Sequence, residues 1–363
     1  MARHLILAGG GHAHLYTLRR LHTLTDQGIA VTLVTPDRYH YYSGMAPGML
    51  GGLYRPEEIR IDVQSLAERG GGRCLIAAAA GLDPLARRLH LSDGCSLAYD
   101  VLSLNIGSVV APGQMPTESI IPVKPIENLV RAHRKLLELT RTPAPRILIV
   151  GGGAAGIELA GNIRRILSDR GVITLVSATP ILPLLPVSVR ETVRQLLGRR
   201  AITLIEGITV TGWDGATALL EDGTRVPCDL ALLATGVQPP PVLRRFGLPV
   251  ADDGSLRVNR YLQSVGAPEV FGGGDCVTLT DHPLARVGVY AVRQGPILYR
   301  NLAAVLTGGT LVPFIPQRHF LQILNLGDGT ALLTRNGFVW RSRLALWLKS
   351  YIDRKFVAEY RLS

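Results

Sequence analysis

The sequence predicts an α/β protein with two three-layer domains, each a parallel sheet covered by helices. The first observation is an apolar run at residues 5–8 that leads directly into the glycine-rich turn GGGHAH at residues 9–14. The second is the run at residues 147–150, which leads in the same way into GGGAAG at residues 151–156. A short buried strand, a glycine-rich turn and a helix begin a βαβ unit, so the chain contains two such units.

Each glycine turn is suited to the pyrophosphate of a dinucleotide. The first glycine (Gly9 or Gly151) makes the tight turn, and the second (Gly11 or Gly153) lets the backbone approach the phosphates. The helix N-terminus that follows supplies free N–H groups and a partial positive charge. Two such turns predict two bound dinucleotides, and electron transfer between them is the simplest reason to hold both.

The remaining elements follow a similar order in both halves. After the first βαβ unit (residues 5–34) we expect strands near residues 74–80, 88–91 and 101–104. After the second (residues 147–176) we expect strands near 202–205, 209–213 and 230–233. A helix at 126–140 precedes a proline-marked boundary, and a helix at 290–306 follows a strand-to-glycine turn that ends at Asp275. The chain therefore contains an internal repeat of whole domains.

Composition limits the class of protein. The chain of 363 residues is long enough for two or three domains. Mean hydropathy is +0.23, which buried parallel strands explain in part. No apolar run is long enough to span a bilayer, and the first one stops at Gly9, too early for a signal peptide, so we expect a cytoplasmic protein. The spacing of Cys74, Cys95, Cys228 and Cys276 predicts reduced thiols.

The net charge of +11 suggests an anionic partner. Lysine and arginine are mostly spread along the chain and no nucleic-acid motif occurs, so nucleic acid is not expected. Residues 338–360 predict one amphipathic helix with a basic opposite face that includes Arg341, Lys349, Asp353 and Arg354. Such a helix favours an anionic membrane surface; packing on the first domain or on a second subunit, as in a homodimer, is the alternative. Its apolar face comprises Trp340, Leu344, Trp347, Leu348, Tyr351, Ile352, Phe356 and Tyr360.

In this order, the motifs resemble the pyridine nucleotide-disulfide oxidoreductase superfamily of two-dinucleotide flavoproteins. The resemblance rests on the two glycine turns, on Ala234-Thr235-Gly236 and on Gly274-Asp275, and it covers nearly the whole chain. Within the superfamily, the chain resembles the branch of type II NADH:quinone and sulfide:quinone oxidoreductases. YYSGMAPG at residues 41–48 and AVRQGP at 291–296 resemble the flavoprotein module fused to, or encoded beside, selenophosphate synthase, which implies an association with that enzyme.

The resemblance implies two nucleotide sites and a division into domains. An FAD domain (residues 1–112 and 240–330) would contain an inserted NAD(P) domain (113–239), followed by a C-terminal amphipathic segment (331–363). Residues implied to hold FAD are Gly9, Gly11, His12, Ala13, Thr35, Asp37, Gly107 and Asp275. Residues implied to hold NADH or NADPH are Gly151, Gly153, Gly156 and Gly236.

The chain departs from the family pattern at several positions. His14 replaces the third glycine of the first turn, which implies a wider helix crossing or an imidazole beside the pyrophosphate. The second strand of each unit ends without a carboxylate, at Thr35 (with Asp37 two places on) and at Ser177, so NADH and NADPH are not distinguished. The cysteines used by disulfide reductases and by sulfide:quinone oxidoreductases are absent, which disfavours thiol mechanisms. His12 and His14 lack further ligands nearby, so no metal is expected.

Three residues are candidates for catalysis. Glu158 completes the central motif, and it lies either at the gap between nicotinamide and flavin or on a solvated helix face. Lys124 either places a cation near the flavin or belongs to a surface linker. Gln294 is adjacent to one of the two glutamine positions in the quinone-reductase motif, but neither glutamine falls in place.

We therefore predict an FAD-dependent NAD(P)H oxidoreductase on the inner face of the cytoplasmic membrane. Hydride would pass from nicotinamide to flavin, and electrons would then pass to a quinone. One alternative is a reductase of a soluble acceptor such as a selenium- or sulfur-containing small molecule. The other is a non-catalytic flavin-binding redox sensor or docking module.

Overall fold

The computed structural model describes residues 3–111, 117–317, 319–335 and 337–361. The helices are α1 (His12–Arg19), α2 (His22–Thr25), α3 (Ala46–Leu50), α4 (Val63–Arg69), α5 (Glu127–Leu139), α6 (Ala154–Leu167), α7 (Val187–Arg199), α8 (Gly288–Thr307) and α9 (Arg343–Glu359). The strands are β1 (His4–Ala8), β2 (Ala30–Thr35), β3 (Tyr39–Tyr41), β4 (Arg60–Asp62), β5 (Arg73–Ile76), β6 (Ala79–Asp83), β7 (Arg88–Leu91), β8 (Ser96–Ala98), β9 (Val101–Leu104), β10 (Ile120–Pro122), β11 (Arg146–Val150), β12 (Val172–Ser177), β13 (Ile202–Glu206), β14 (Val210–Asp214), β15 (Thr217–Leu220), β16 (Arg225–Pro227), β17 (Leu230–Leu233), β18 (Leu256–Val258), β19 (Val270–Gly272), β20 (Val277–Leu279), β21 (Gln322–Asn325), β22 (Ala331–Arg335) and β23 (Phe338–Ser342).

Two parallel five-stranded sheets form the centre of the molecule. The first has the order β19–β9–β1–β2–β5, and the second has the order β10–β17–β11–β12–β13. The middle strands β1 and β11 are buried along almost their whole length, as expected of parallel strands covered on both faces. Each glycine turn leaves the carboxyl end of its middle strand, the edge at which open α/β sheets bind ligands.

The prediction of two Rossmann-like sheets is confirmed. All strands of the second sheet lie between β9 and β19 in the chain, so its residues are inserted between two parts of the first. The predicted boundary between residues 112 and 113 falls on residues 112–116, outside the described ranges. The other domain boundaries stay predictions.

The C-terminal segment differs from its prediction. Residues 338–342 form β23, which pairs antiparallel with β22, and α9 begins only at Arg343. Ser342 ends the strand and caps the helix, because its Oγ accepts a hydrogen bond from Ala345 N at 2.9 Å. Periodicity alone missed this strand because Trp340 continues the helical spacing of the apolar residues that follow it.

The orientation of α9 also differs from its prediction. Lys349 and Asp353, which we placed on the basic face opposite the apolar one, are turned toward the body of the protein. Leu344, Trp347 and Tyr351, which we placed on one face with Phe356 and Tyr360, are exposed. Tyr360 is buried and Phe356 is half-buried, so the predicted apolar face is divided between solvent and core.

Candidate functional site

The two glycine turns have the same construction. Gly9 has φ +96°, and a Cβ on it would lie 2.1 Å from the carbonyl oxygen of Asn105, just after β9. Gly151 has φ +122°, and a Cβ on it would lie 2.2 Å from the carbonyl oxygen of Ala234, just after β17. In each half, the turn after the middle strand therefore packs directly on the neighbouring strand's end, where a side chain does not fit.

Both helix starts present free backbone donors. The N–H groups of Gly11 and His12, before and at the start of α1, have no acceptor among the residues that the structure describes. The same holds for Gly153 and Ala154 at the start of α6. Unsatisfied N–H groups at a helix N-terminus bind anions, so the chain fits the pyrophosphate of a dinucleotide at both places.

One cavity of about 430 Å³ lies between the two helix starts. Its volume is in the range of ligand sites. It joins predicted residues from both nucleotide sites and two of the three catalytic candidates. Those that line it are Gly11, His12, Gly107, Lys124, Asp275, Gly153, Glu158 and Gly236.

Other predicted residues support the site from outside this cavity. The Thr35 hydroxyl donates to the Asp37 carbonyl at 3.1 Å, and the Asp37 carboxylate accepts from Tyr39 N at 2.9 Å. Gln294 is buried, and its Oε1 accepts from Gly274 N at 2.7 Å, which holds the turn before Asp275. Those that do not line the cavity are Gly9, Ala13, Thr35, Asp37, Gly151, Gly156 and Gln294.

Lys124 and Asp275 form an ion pair at the edge of the cavity. Lys124 Nζ lies 3.5 Å from Asp275 Oδ2, which also accepts a hydrogen bond from Ser108 Oγ at 2.7 Å. The Lys124 side chain is 23% exposed, so it belongs to the cavity wall and not to a solvated linker. The pair places one positive and one negative group where polar parts of a ligand would lie.

Glu158 is buried, which excludes the alternative of a solvated helix carboxylate. Its Oε1 accepts from the backbone N of Asn325 at 2.7 Å, and Oε2 has no hydrogen-bond partner among the described residues. Burial raises the pKa of Glu158 to about 7, although the Lys349 charge and the Asn325 N–H lower it. A carboxyl group with this pKa exchanges a proton readily at neutral pH.

The polar side of α9 borders Glu158. Lys349 Nζ donates to Asp353 Oδ2 at 3.0 Å and to the Gly44 carbonyl at 2.8 Å. Tyr42 donates to Asp353 Oδ1 at 3.2 Å. Burial lowers the pKa of Lys349, but the charges of Glu158 and Asp353 outweigh this and raise it. This buried ion pair thus connects α9 to the segment at residues 42–47 that forms one cavity wall.

Sequence patterns did not single out several residues of the site. His40 lines the cavity, and its Nε2 lies 3.1 Å from Nδ1 of His12. Burial and the Lys124 charge lower the pKa of His12 to about 3, and burial also lowers the pKa of His40 well below its ordinary value, so this pair is neutral at physiological pH. Asn105 accepts from Ala13 N at 3.1 Å and donates to the Gly273 carbonyl at 2.6 Å. The position of Asn105 directly after β9 is a sequence feature that could have identified it. No sequence feature identified His40.

Burial also decides the roles of His14 and Cys276. His14 lies in the core, where Nδ1 is 2.6 Å from the Gly9 carbonyl and Nε2 is 2.8 Å from Ser103 Oγ. It therefore joins the first turn to β9 and does not line the cavity. Burial raises the pKa of Cys276 to about 12, so its thiol stays protonated.

Comparisons with known proteins agree with this architecture. Residues 3–295 match the family model described as pyridine nucleotide-disulphide oxidoreductase. Demethylphylloquinone reductase NdbB of Synechocystis sp. is 28% identical over 382 residues, covering 98% of this chain and 91% of that protein. Alternative NAD(P)H-ubiquinone oxidoreductase C1 of Arabidopsis thaliana is 26% identical over 372 residues, covering 89% and 70%.

The fold is also that of a solved structure. NDH2 from Plasmodium falciparum, in complex with NADH, superposes with a TM-score of 0.85 at 12% identity, covering 99% of this chain and 98% of that one. Within the described ranges, no helix is both long and apolar enough to cross a membrane.

Proposed function

Because the chain belongs to the pyridine nucleotide-disulphide oxidoreductase family, we infer that it is an FAD-dependent NAD(P)H oxidoreductase, and we propose that it reduces a quinone. The observation that carries this proposal is the cavity that joins both helix starts to Glu158 and Lys124. Bound FAD supplies the chemistry of accepting a hydride and passing on two electrons.

The chain's own residues bind and orient the two nucleotides. Free N–H groups at Gly11 and His12 would hold the pyrophosphate of FAD, and those at Gly153 and Ala154 that of NAD(P)H. Asp275, held by Ser108, would accept hydrogen bonds from the FAD ribityl chain, as the family resemblance implies. The Lys124 ammonium would stabilise negative charge that develops in the cavity.

A quinone acceptor needs one proton more than the nucleotide supplies. NAD(P)H provides a hydride, that is, two electrons and one proton, whereas reduction of a quinone to a quinol takes two electrons and two protons. Glu158 is suited to deliver the second proton from Oε2, because its raised pKa lets the group both hold and release a proton near neutral pH. Two relatives reported above are named for reduction of demethylphylloquinone and of ubiquinone, which supports this acceptor class.

The acceptor is tested by steady-state oxidation of NADH and NADPH by the flavin-loaded protein. We expect quinones such as a soluble ubiquinone or menaquinone analogue to support turnover with quinol as the product. Selenite, disulfides and polysulfides are the matched soluble acceptors. Turnover with one of these and none with any quinone would replace the proposal with the soluble-acceptor alternative.

We also propose that the protein docks on an anionic membrane surface through an exposed apolar patch on β23 and α9. Each side chain of the patch is between 40% and 65% exposed. Exposed arginines and lysines, among them Arg343 and Lys355, lie on the same elements. Tryptophan and tyrosine with adjacent basic residues are typical of helices that lie at the headgroup boundary. The apolar patch consists of Phe338, Trp340, Leu344, Trp347, Tyr351 and Ile352.

A second subunit on this patch is the alternative occupant and stays a prediction. The association with selenophosphate synthase also stays a prediction.

A further inference from the structure

The strands β12 and β13 end side by side at the carboxyl end of the second sheet. The central glycine turn leaves β11 at this same end. Ser177, the last residue of β12, pairs in register with Glu206, the last residue of β13. The Ser177 hydroxyl donates to the Thr179 carbonyl at 2.6 Å. In Rossmann sites, a carboxylate near the end of this second strand accepts a hydrogen bond from the ribose 2′-hydroxyl of NADH. Here Glu206 is the carboxylate in register with that position.

Glu206 is already occupied by other groups. Its Oε2 accepts from Arg194 Nε at 2.7 Å, and its Oε1 accepts from Arg194 Nη2 at 3.0 Å. Oε1 also accepts from the backbone N of Ile181 at 2.7 Å. Three donors thus already hold Glu206, two of them from the Arg194 guanidinium, so the charge of this carboxylate is compensated within the chain before a ribose 2′-hydroxyl approaches.

Arg190 lies one helical turn before Arg194 on α7, and its charge also acts on Glu206. Its side chain makes no hydrogen bond or ion pair with any residue that the structure describes, and its Nε is buried. The guanidinium is permanently charged and carries only donors, in a fork that matches a phosphate group. Arg190 is thus a cation without a hydrogen-bonding partner beside the end of the strands.

The loop between β12 and α7 connects this region to the central glycine turn. Leu182 N donates to the Gly152 carbonyl at 2.8 Å, and a Cβ on Gly152 would lie 2.4 Å from Ser177 Oγ. The loop that leads into α7 is therefore tied to the turn that would hold the nucleotide's pyrophosphate.

We propose that Arg190 binds the 2′-phosphate of NADPH and makes NADPH the preferred nucleotide. This inference rests on the proposed function, because it takes the central glycine turn as the NAD(P)H site. It assigns nucleotide preference to a helix residue, whereas the end of β12 by itself did not distinguish the two nucleotides.

Binding of two small probes tests the assignment without turnover. Adenosine 2′,5′-bisphosphate carries the 2′-phosphate and ADP lacks it, and the affinity of the flavin-loaded protein for each is measured by calorimetry. We expect wild type to favour the 2′-phosphate probe and Arg190→Ala to lose about ten- to a hundredfold of its affinity for that probe. Arg199→Ala removes an exposed arginine of the same helix and serves as the matched control.

Kinetics provide the second measurement. We expect Arg190→Ala to lower the ratio of kcat/KM for NADPH to kcat/KM for NADH, and Arg190→Lys, which keeps the charge without the fork, to lower it less. Equal affinity of wild type for both probes, or equal losses for both in Arg190→Ala, would overturn the assignment. If neither NADH nor NADPH reduces the bound flavin, the proposed function itself fails, which is a different result from reduction by both without preference.

Discussion

At the scale of single residues, burial decides what the motif residues do. The sequence placed Glu158 at the right distance from the central glycine turn, but solvation and burial were equally compatible with a helix position. The structure buries it beside Asn325 and the charge of Lys349. Asn325 and Lys349 come from the C-terminal part of the chain, so no local pattern around Glu158 predicted that it would be buried.

Substitution of Glu158 tests its role in proton delivery. If Glu158 must be protonated to act, kcat with a quinone falls as pH rises through about 7. Glu158→Gln keeps the shape but holds no transferable carboxyl proton, so we expect kcat to fall about a hundredfold and the pH dependence near 7 to disappear. The rate of flavin reduction by the nucleotide, measured separately by stopped flow, is expected to change much less. A variant with wild-type kcat and the same pH profile would contradict the assignment.

His14 shows how one residue replaces a feature of the family motif. At the equivalent place in the second half, a Cβ on Gly156 would lie 1.8 Å from the Gly151 carbonyl. In the first half the His14 ring instead bonds the Gly9 carbonyl and Ser103, so the imidazole takes the place of close backbone packing. The sequence identified the departure, and two hydrogen bonds within the fold explain it.

The neutral state of His14 makes stability depend on pH. Burial lowers its pKa from 6.5 to about 4, so below pH 6.5 the unfolded chain takes up a proton that the folded protein does not. The contribution of His14 to the free energy of unfolding is therefore complete above pH 6.5 and decreases as the pH falls toward 4. At pH 5 the decrease is about 2 kcal/mol.

Urea unfolding of the flavin-loaded protein at pH 7.5 and pH 5 measures this effect. His14→Gln, which has no titrating ring, is expected to be less stable at pH 7.5 but to lose about 2 kcal/mol less on acidification. His22→Gln, at an exposed position, is the control. An identical acid-induced loss in wild type and His14→Gln would show that this ring does not titrate in the predicted range.

At the scale of elements, α9 presents two different surfaces on its two faces. Its inward face carries the Lys349–Asp353 pair against Tyr42 and Gly44, next to the cavity. Its outward face carries exposed aromatic and aliphatic side chains. Helical periodicity predicted that the segment is amphipathic, but not which of its residues the core would take, because buried lysine and aspartate are stable only as a pair.

Membrane docking of the apolar patch is tested by vesicle sedimentation. Trp347 is 65% exposed, so Trp347→Ser removes apolar contact area without opening the core. We expect wild type to bind vesicles that contain anionic phospholipid more strongly than neutral ones, and Trp347→Ser to bind several-fold more weakly. Leu85→Ser, a nearly fully exposed leucine between β6 and β7, is the control.

Two results would contradict the docking proposal. The first is equal binding of wild type and Trp347→Ser to anionic vesicles. The second is a dimer in analytical ultracentrifugation that Trp347→Ser dissociates, which would assign the patch to a second subunit.

At the scale of the whole molecule, two sheets place two glycine turns on one cavity. Strand, turn and helix patterns predicted both sheets and both nucleotide motifs, because those features depend on contiguous residues. The contacts that complete the site join distant segments, such as His12 with His40 and Lys124 with Asp275. Such pairs depend on the packing of elements far apart in the chain, which spacing alone does not contain.

The central claim is that one chain holds both dinucleotides and passes electrons between them. It is tested most directly by anaerobic titration of the flavin-loaded protein with NADPH and, separately, with NADH, while the flavin absorbance near 450 nm is followed. We predict stoichiometric bleaching by NADPH at lower concentrations than by NADH, and return of the absorbance when a quinone is added. Flavin that stays oxidised with both nucleotides would contradict the account.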